Sequence, residues 1–134
     1  YMILGEKDFQ QLFLIKKHIL KNNIKTSIIA HKTVRNQNFI PYSSRNFNLS
    51  KYDKILASKV FKTLRNEKFL IKRKKIKKIN LLSVKNKILK MGIKKVDYIE
   101  ALNLKSLKKA KKFNENFNIF SAFYIGNVRL IDNF

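Results

Sequence analysis

The feature that most constrains the fold is the order of element types over the first thirty residues. The apolar tetrapeptide that runs into Gly5 predicts a buried strand, cut in the middle. From Asp8 to Leu20, apolar residues recur every three or four positions with lysines off that stripe, which predicts an amphipathic helix. Thr26 to Ala30 is short and β-branched, and predicts a second buried strand. The order strand, helix, strand indicates the end of an α/β unit with a parallel sheet.

Asn22 and Asn23 predict the end of the first helix, because asparagine tolerates a left-handed cap. His31 to Pro41 is polar and irregular, and predicts a loop. After Pro41 the pattern is that of a small α+β domain. Ser50 with Asp53 three positions on predicts the start of a helix, with Ile55, Leu56, Val60, Phe61 and Leu64 on one face.

The later elements are read in the same way, from periodicity and turn residues. We predict a loop or frayed helix at Lys68–Lys78, a helix at Ser83–Met91 stopped by Gly92, a strand at Val96–Leu102, a short basic helix at Leu104–Lys112, and a hairpin of Phe117–Ile125 and Val128–Ile131 around Gly126-Asn127.

The net charge of +23 suggests a nucleic-acid partner. Lysine, asparagine and isoleucine are abundant together, however, while there are only 3 glycines and 1 proline. An RNA-binding chain usually gains arginine and glycine, because arginine makes bidentate phosphate contacts. A joint rise of lysine, asparagine and isoleucine fits drift in an A+T-rich genome, so composition alone leaves both explanations open.

The chain contains no cysteine, which excludes disulfides and thiolate zinc sites. Its histidines, His18 and His31, are too few for a histidine-based metal cage, so we predict no metal held by the protein. No apolar run reaches the roughly 18 residues of a membrane span, and the N-terminus lacks the features of a signal peptide. We therefore expect a cytoplasmic protein with no membrane partner.

Gly5 to Gln11 form the first of three polar blocks. A glycine that closes a strand and opens a helix presents backbone amides to a phosphate or a sugar. Lys7 would supply a point charge, and Asp8 can accept hydrogen bonds from ribose hydroxyls. Gln11 follows Lys7 by one turn and so faces the same side. Taken alone, a capped helix with solvated charges is the commoner explanation of such a block.

The second block is Tyr42 to Asn46, where two hydroxyls precede Arg45. Hydroxyls donate single hydrogen bonds and arginine donates in a fork, so these residues suit phosphate. Alone, the block is also a polar turn before a helix. The third block, Arg129 to Asn133, by itself indicates only a last strand.

In this order and spacing, the blocks resemble the pantothenate synthetase family, and the resemblance runs from Tyr1 to Phe134. The family pattern is matched at Gly5–Gln11, Val34-Arg35, Ser43–Ser50, Val96–Glu100 and Arg129–Asn133. The fold implied is α/β: the tail of a Rossmann-like nucleotide-binding domain over residues 1–42, then a small α+β C-terminal domain with an antiparallel sheet over residues 43–134.

The family belongs to the nucleotidyltransferase superfamily that includes the class I aminoacyl-tRNA synthetases. The resemblance implies an AMP-forming pantoate–β-alanine ligase that uses ATP, with Mg²⁺ bound to the nucleotide, and proceeds through pantoyl adenylate to pantothenate on the coenzyme A pathway. The implied partners are pantoate, β-alanine and ATP, with no specific nucleic acid. A homodimer is implied in the full-length protein, through an N-terminal domain that this chain lacks.

The resemblance also implies roles for single residues. Lys7 and Arg45 correspond to catalytic positions, and Gln11 to the glutamine that binds pantoate. Asp8 would meet the ribose, and the backbone of Val34 the adenine. The implied ATP-binding residues are Gly5, Glu6, Lys7, Asp8, Val34, Tyr42, Ser43, Ser44 and Arg45. Catalysis would then be positioning plus stabilisation of phosphate charge, with no covalent nucleophile.

The chain departs from the family in the loop before Ser43, which in the family usually ends Asp-Gly-Leu-Ala-Met and here ends Asn38-Phe39-Ile40-Pro41-Tyr42. Asn38 replaces the acid and Phe39 the glycine. If this turn needs a positive φ, phenylalanine there is strained by about 1 kcal/mol or more. The family's N-terminal half, with its His-x-Gly-His-type histidines, is also absent, so we expect no catalysis by this chain alone.

Two alternatives remain open from the sequence. One is a basic RNA-binding module such as a ribosomal protein, for which the run Lys72 to Lys78 is the best support. A solvated lysine-rich loop is the commoner explanation of that run. The other alternative is an inactive remnant of the ligase, suggested by the altered loop at Phe39.

Overall fold

The computed structural model describes all residues from 1 to 134 and divides into two compact units, residues 1–34 and 35–134. The sequence predicts a domain boundary after residue 42, which lies further along the chain than the boundary between these two units. The physical reason is that the loop from Arg35 is built into the second unit: Arg35 pairs with Asp132, and Ile40 is only 1% exposed in the core of that unit. The assignment of domains over 1–42 and 43–134 stays a prediction.

The first unit is a strand–helix–strand unit, as the sequence predicts. Strand β1 (Met2–Gly5) leads through a 3₁₀ turn at Glu6–Asp8 into helix α1 (Phe9–Lys21), and strand β2 (Ile28–His31) follows. The two strands are parallel, with Met2 opposite Ile28. The helix ends as predicted, because Asn23 adopts a left-handed φ of 50°.

Both strands of this unit were predicted to be buried, and that prediction is wrong. Ile3 is 70% exposed and Ile29 is 49% exposed. Two strands with one connecting helix offer few apolar side chains for burial, and Leu12 is the buried residue of α1. The apolar composition of a strand therefore did not decide its burial within this unit.

The second unit packs two helices on a three-stranded antiparallel sheet. The helices are α2 (Lys51–Arg73) and α3 (Leu82–Lys90). The sheet has the order β3-β4-β5, formed by Lys95–Asn103, Phe117–Ile125 and Val128–Asn133. Helix α2 begins with the predicted cap: Ser50 accepts from the Asp53 amide, and Asp53 accepts from the Ser50 amide.

The core of this unit lies between α2 and β4. Val60, Phe61 and Leu64 are fully buried, and the Phe61 ring meets the Phe123 ring edge-on at 5.3 Å between centroids. The predicted hairpin is confirmed, with Gly126 at a φ of 55° in its turn. Buried aromatic and aliphatic side chains of β4 thus form the core against which α2 packs.

Three predictions for this unit are wrong. Helix α2 continues to Arg73, where a loop or frayed helix was predicted from Lys68, because Ile71 extends the buried stripe. Ile55 was placed on the buried face but is 56% exposed. Residues 104–112 form a turn rather than a helix: Leu107 has a φ of 55°, and the Glu115 carboxylate accepts from the amides of residues 111 and 112.

No helix in the structure combines the length and the apolarity that crossing a bilayer requires.

Candidate functional site

The first polar block lies where β1 ends and α1 begins. Gly5 closes the strand in an extended conformation, with φ −77° and ψ 138°, and a 3₁₀ turn of Glu6 to Asp8 follows. A side chain at position 5 would meet nothing within 4 Å, so neither the backbone angles nor packing in this unit requires a glycine. The carboxyl end of a parallel strand is the edge at which α/β folds bind ligands.

Asp8 occupies the N-cap position of α1, yet its side chain makes no capping hydrogen bond and is exposed. The carboxylate therefore forms no capping hydrogen bond with the helix, which counts against a capped helix as the explanation of this residue. Lys7 is half-buried in the same turn, and Gln11 is exposed in the first turn of α1. Val34, the last residue of the unit, is 57% exposed.

The second polar block is a short exposed loop in the second unit. The Arg45 amide donates to the Ser43 hydroxyl at 3.3 Å, which starts a 3₁₀ turn over Ser44–Asn48. Tyr42 is 64% exposed. The Ser44 hydroxyl and the Arg45 guanidinium are exposed and form no hydrogen bond or ion pair within the chain. Each of these two groups keeps its full donor capacity for a ligand.

Buried residues anchor this block on both sides. Ile40 is 1% exposed and Pro41 is buried before it, while Leu49 is 4% exposed after it. The Asn46 side-chain amide also donates to the Pro41 carbonyl at 2.9 Å. The polar donors are therefore carried on a short span between two fixed points, an arrangement that limits how far they can move.

The loop that precedes the block is held by Arg35 and Asp132. The guanidinium donates to both carboxylate oxygens, at 2.5 and 3.0 Å, and the Asp132 side chain is fully buried. Phe39 has a φ of 68°, so the condition under which the sequence predicts strain at this residue is met. Its ring stacks on Phe134 at 5.8 Å, and the Arg35 guanidinium lies over both rings at 4.5 and 4.7 Å.

From sequence alone, Asp132 had no predicted role beyond membership of the last strand. The available signal was an acidic residue directly after the apolar pair Leu130 and Ile131, because a carboxylate needs a cationic partner when it is buried. The structure brings Gly5 to Asp8 and Gln11 together in one unit, and Tyr42 to Arg45 in the other. That Lys7 and Arg45 bind one triphosphate stays a prediction.

Two basic side chains outside the first and second blocks, Lys68 and Arg129, have shifted pKa values. Burial lowers the pKa of Lys68, and the neighbouring charge of Lys72 lowers it further. The hydrogen bond to Asp97 raises the pKa of Arg129. Lys68 donates to the Asn118 side chain at 2.6 Å and Arg129 to Asp97 at 2.7 Å, so both cations have partners within the second unit.

Comparison with known proteins identifies the family. The family model described as pantoate-beta-alanine ligase matches residues 1–134. Pantothenate synthetases of Francisella tularensis subspecies mediasiatica and novicida are 41% identical over 133 residues, which is 99% of this chain and 42% of each relative. The chain therefore spans less than half the length of the curated relatives that it matches.

Solved structures agree with this result. The pantoate-beta-alanine ligase of Francisella tularensis, complexed with beta-gamma ATP and beta-alanine, is 42% identical, with a TM-score of 0.72 over 98% of this chain and 42% of that one. The pantothenate synthetase of Thermus thermophilus shares the fold at 22% identity, with a TM-score of 0.86 over 98% of this chain and 48% of that one. The chain belongs to the pantoate-beta-alanine ligase family.

Proposed function

We propose that this chain is the C-terminal part of a pantothenate synthetase, which condenses pantoate with β-alanine and converts ATP to AMP and diphosphate. The observation that carries the proposal is the second polar block. Arg45 and Ser44 are presented at the surface with no partner in the chain, between buried anchors. The forked N–H donors of a guanidinium, next to a hydroxyl, match the geometry of a phosphate group.

The chain spans 42% of the length of its curated relatives, so we propose that the remainder of the active site lies in the part of the protein that corresponds to the rest of theirs. The same proposal includes a cytoplasmic location and a homodimer formed through that other part. The paired histidines of the family would also be supplied there.

In the proposed complex, the first block binds the nucleoside and the second binds the phosphates. The Gly5 backbone approaches the nucleotide, Asp8 accepts from the ribose, and the Val34 backbone meets adenine. Space around Gly5 and the unused carboxylate of Asp8 support these roles. Tyr42 to Arg45 wrap the triphosphate, with Lys7 near the phosphates and the reacting carboxylate. Gln11 binds pantoate.

The first step is adenylation of pantoate. A pantoate carboxylate oxygen attacks the α-phosphorus, the bond to the bridging oxygen breaks, and diphosphate leaves. Negative charge then builds up on the α-phosphate and on the leaving group, where Lys7 and Arg45 stabilise it. In the second step the amine of β-alanine attacks the acyl carbon, loses a proton, and AMP leaves with both bonding electrons.

Mg²⁺, when bound with the nucleotide, supplies further neutralisation of phosphate charge. Lys7 and Arg45 fit phosphate rather than the metal, because ammonium and guanidinium groups repel a cation, and the carboxylates of the first block belong to no cluster of three or more metal-ligating side chains. Mg²⁺ prefers carboxylates, waters and the phosphates themselves. We therefore assign the residues here to the nucleotide.

The test uses the protein encoded by the natural reading frame that contains this sequence. With ATP and pantoate, release of diphosphate should fall about 100-fold or more in Lys7→Ala and in Arg45→Ala, as for removal of one preorganised donor. Lys59→Ala removes an exposed lysine of α2 and is the matched control. Wild-type release of diphosphate in both site variants would refute the assignment of these residues.

The alternative of an RNA-binding module rests on the basic run at the end of α2. Lys72 begins this run, and its ammonium donates to the Glu115 carbonyl and lies 4.6 Å from the Phe117 ring centroid. That lysine is thus engaged within its own unit. Tight, sequence-selective RNA binding that persists at physiological salt would favour the alternative, since weak binding at low salt is expected of any basic chain.

The second alternative is an inactive remnant. The positive φ of Phe39 no longer favours it, because Phe134 and Arg35 pack against that ring. Growth of a pantothenate-requiring strain, restored by the natural reading frame, is the expected result. Failure to restore growth, with a folded and expressed protein, would support the remnant.

A further inference from the structure

We infer that Asp132 is a positioning residue for adenylation. With Arg35 and Phe39 it forms a clasp, defined by these three residues, that fixes the loop in front of Ser43, Ser44 and Arg45. The inference rests on the proposed function, because it concerns how the phosphate-binding donors are held in place.

The clasp closes around a buried carboxylate. The Asp132 side chain has no exposed surface, and the Arg35 side chain has 15%. The bidentate pair is supported at both ends: the Asn133 amide donates to Asp132 at 2.8 Å, and Arg35 also donates to the carbonyls of Phe39 and Asn133, at 3.3 and 3.4 Å. A buried charge pair of this kind is stable only when its geometry and its remaining hydrogen bonds are satisfied.

Phe39 completes the clasp in a backbone conformation that phenylalanine rarely adopts. Its φ of 68° is strained for a residue with a side chain, and such strain persists only where the surroundings over-determine it. The surroundings here are the stacked ring of Phe134 and the guanidinium groups of Arg35 and Arg65, the latter at 4.8 Å. Ring packing thus replaces the conformational freedom that glycine gives the family.

Hydrogen bonds within the loop connect the clasp to the phosphate-binding donors. The Asn36 side chain accepts from the backbone amides of Asn38 and Ile40, at 3.0 Å each, which stabilises the turn. Pro41 pairs with Arg35 across the base of the loop and accepts from the Asn46 side chain. One residue therefore joins the clasp directly to the block that contains Ser44 and Arg45.

Preorganisation explains why this matters for the reaction. Donors that are already in place need no reorganisation when charge develops, whereas a displacement of about 1 Å can cost on the order of 100-fold in rate. Opening the clasp should therefore slow diphosphate release while leaving the pantoate contact at Gln11, in the other unit, unaffected.

The first test compares Asp132→Asn and Arg35→Lys with the wild type, in the protein from the natural reading frame. Each assay is run where circular dichroism shows the variant fully folded, so that lost stability alone leaves the rate per folded molecule unchanged. We expect kcat for diphosphate release to fall about tenfold or more, with KM for pantoate within about twofold. A folded Asp132→Asn with wild-type kcat would overturn the inference.

Should both variants fail to fold, a series at Phe39 decides the matter. Phe39→Tyr keeps the ring and should retain wild-type kcat. Phe39→Gly loses the ring, but glycine adopts a positive φ without strain. Phe39→Ala also loses the ring and keeps the backbone strain, so its kcat for diphosphate release should be about fivefold lower than that of Phe39→Gly. Equal kcat in all three folded variants would overturn the inference.

The wild-type protein distinguishes failure of the positioning role from failure of the proposed ligase function. Diphosphate release by wild type, with no change in the clasp variants, overturns the positioning role and leaves the ligase intact. Absence of diphosphate release from folded wild type with ATP and pantoate refutes the ligase, and the positioning role with it.

Discussion

Arg35 and Arg45 stand on the same stretch of chain and have opposite environments. Arg35 is 15% exposed, donates to both oxygens of Asp132 and lies over two aromatic rings. Arg45 is exposed and forms no hydrogen bond or ion pair through its side chain. The protein therefore uses one guanidinium to build the loop and leaves the other exposed for a ligand, although both residues are of the same type.

The two helix starts repeat this contrast. Ser50 and Asp53 satisfy each other's backbone amides at the start of α2. Asp8 stands at the same position before α1 and makes no capping bond. In both comparisons the satisfied group is structural, and the unsatisfied group lies in a block that resembles the family's ATP-binding residues.

The largest expected effect separates the arginines by stability. Arg35→Ala removes the bidentate partner of a buried carboxylate and should lower the free energy of unfolding by about 3 to 5 kcal/mol. Arg45→Ala should change it by no more than about 0.5 kcal/mol, because the side chain contacts solvent. Urea unfolding of both variants is the measurement. Equal losses of unfolding free energy in the two variants would contradict the different roles assigned to Arg35 and Arg45.

A smaller effect concerns the shape of the ligand-binding cation. Arg45→Lys keeps the charge and loses the fork of donors, so diphosphate release should fall about tenfold, or about 1.4 kcal/mol. Arg73→Lys, at the end of α2, is the control and should leave the rate unchanged. A wild-type rate for Arg45→Lys would show that a point charge is sufficient.

The helix starts give an effect of about 1 kcal/mol. Ser50→Ala removes a cap and should destabilise the second unit by about that amount. Asp8→Ala removes no capping bond and should leave stability within about 0.5 kcal/mol while it weakens ATP binding. Thermal unfolding and equilibrium binding of a non-hydrolysable ATP analogue measure the two quantities. A loss of stability in Asp8→Ala would indicate a structural role.

The smallest effect tests whether the half-buried carboxylate of Glu115, whose hydrogen bonds are satisfied, also stabilises the fold. The Lys111 amide, then Asn103, then the Lys112 amide hold the pKa of Glu115 below its usual value. A carboxyl with a lowered folded-state pKa contributes stability above its unfolded pKa, and loses it as the pH falls through the folded value. Glu115→Gln should therefore be less stable than wild type at pH 7, with a gap that closes in acid. A gap independent of pH in thermal unfolding would contradict this.

Local chemistry made much of the fold predictable. The cap at Ser50, the stop at Asn23 and the hairpin turn at Gly126 each follow from the preferences of a few neighbouring residues. Predictions failed where a distant or competing contact decided the outcome. Residues 104–112 have a helix-compatible composition, but the Glu115 carboxylate captures two of their amides.

The amino-acid pattern alone was enough to indicate the family, the strand–helix–strand order of the first unit and the residue types that suit a nucleotide. Which of these residues already have partners depends on how the folded chain packs. Arg35 and Asp132 are separated by 97 positions, and no local pattern links groups that far apart. Their pairing arises from the packing of the last strand beside the loop, and it is this packing that distinguishes the arginine that holds the loop from the arginine that remains for a phosphate.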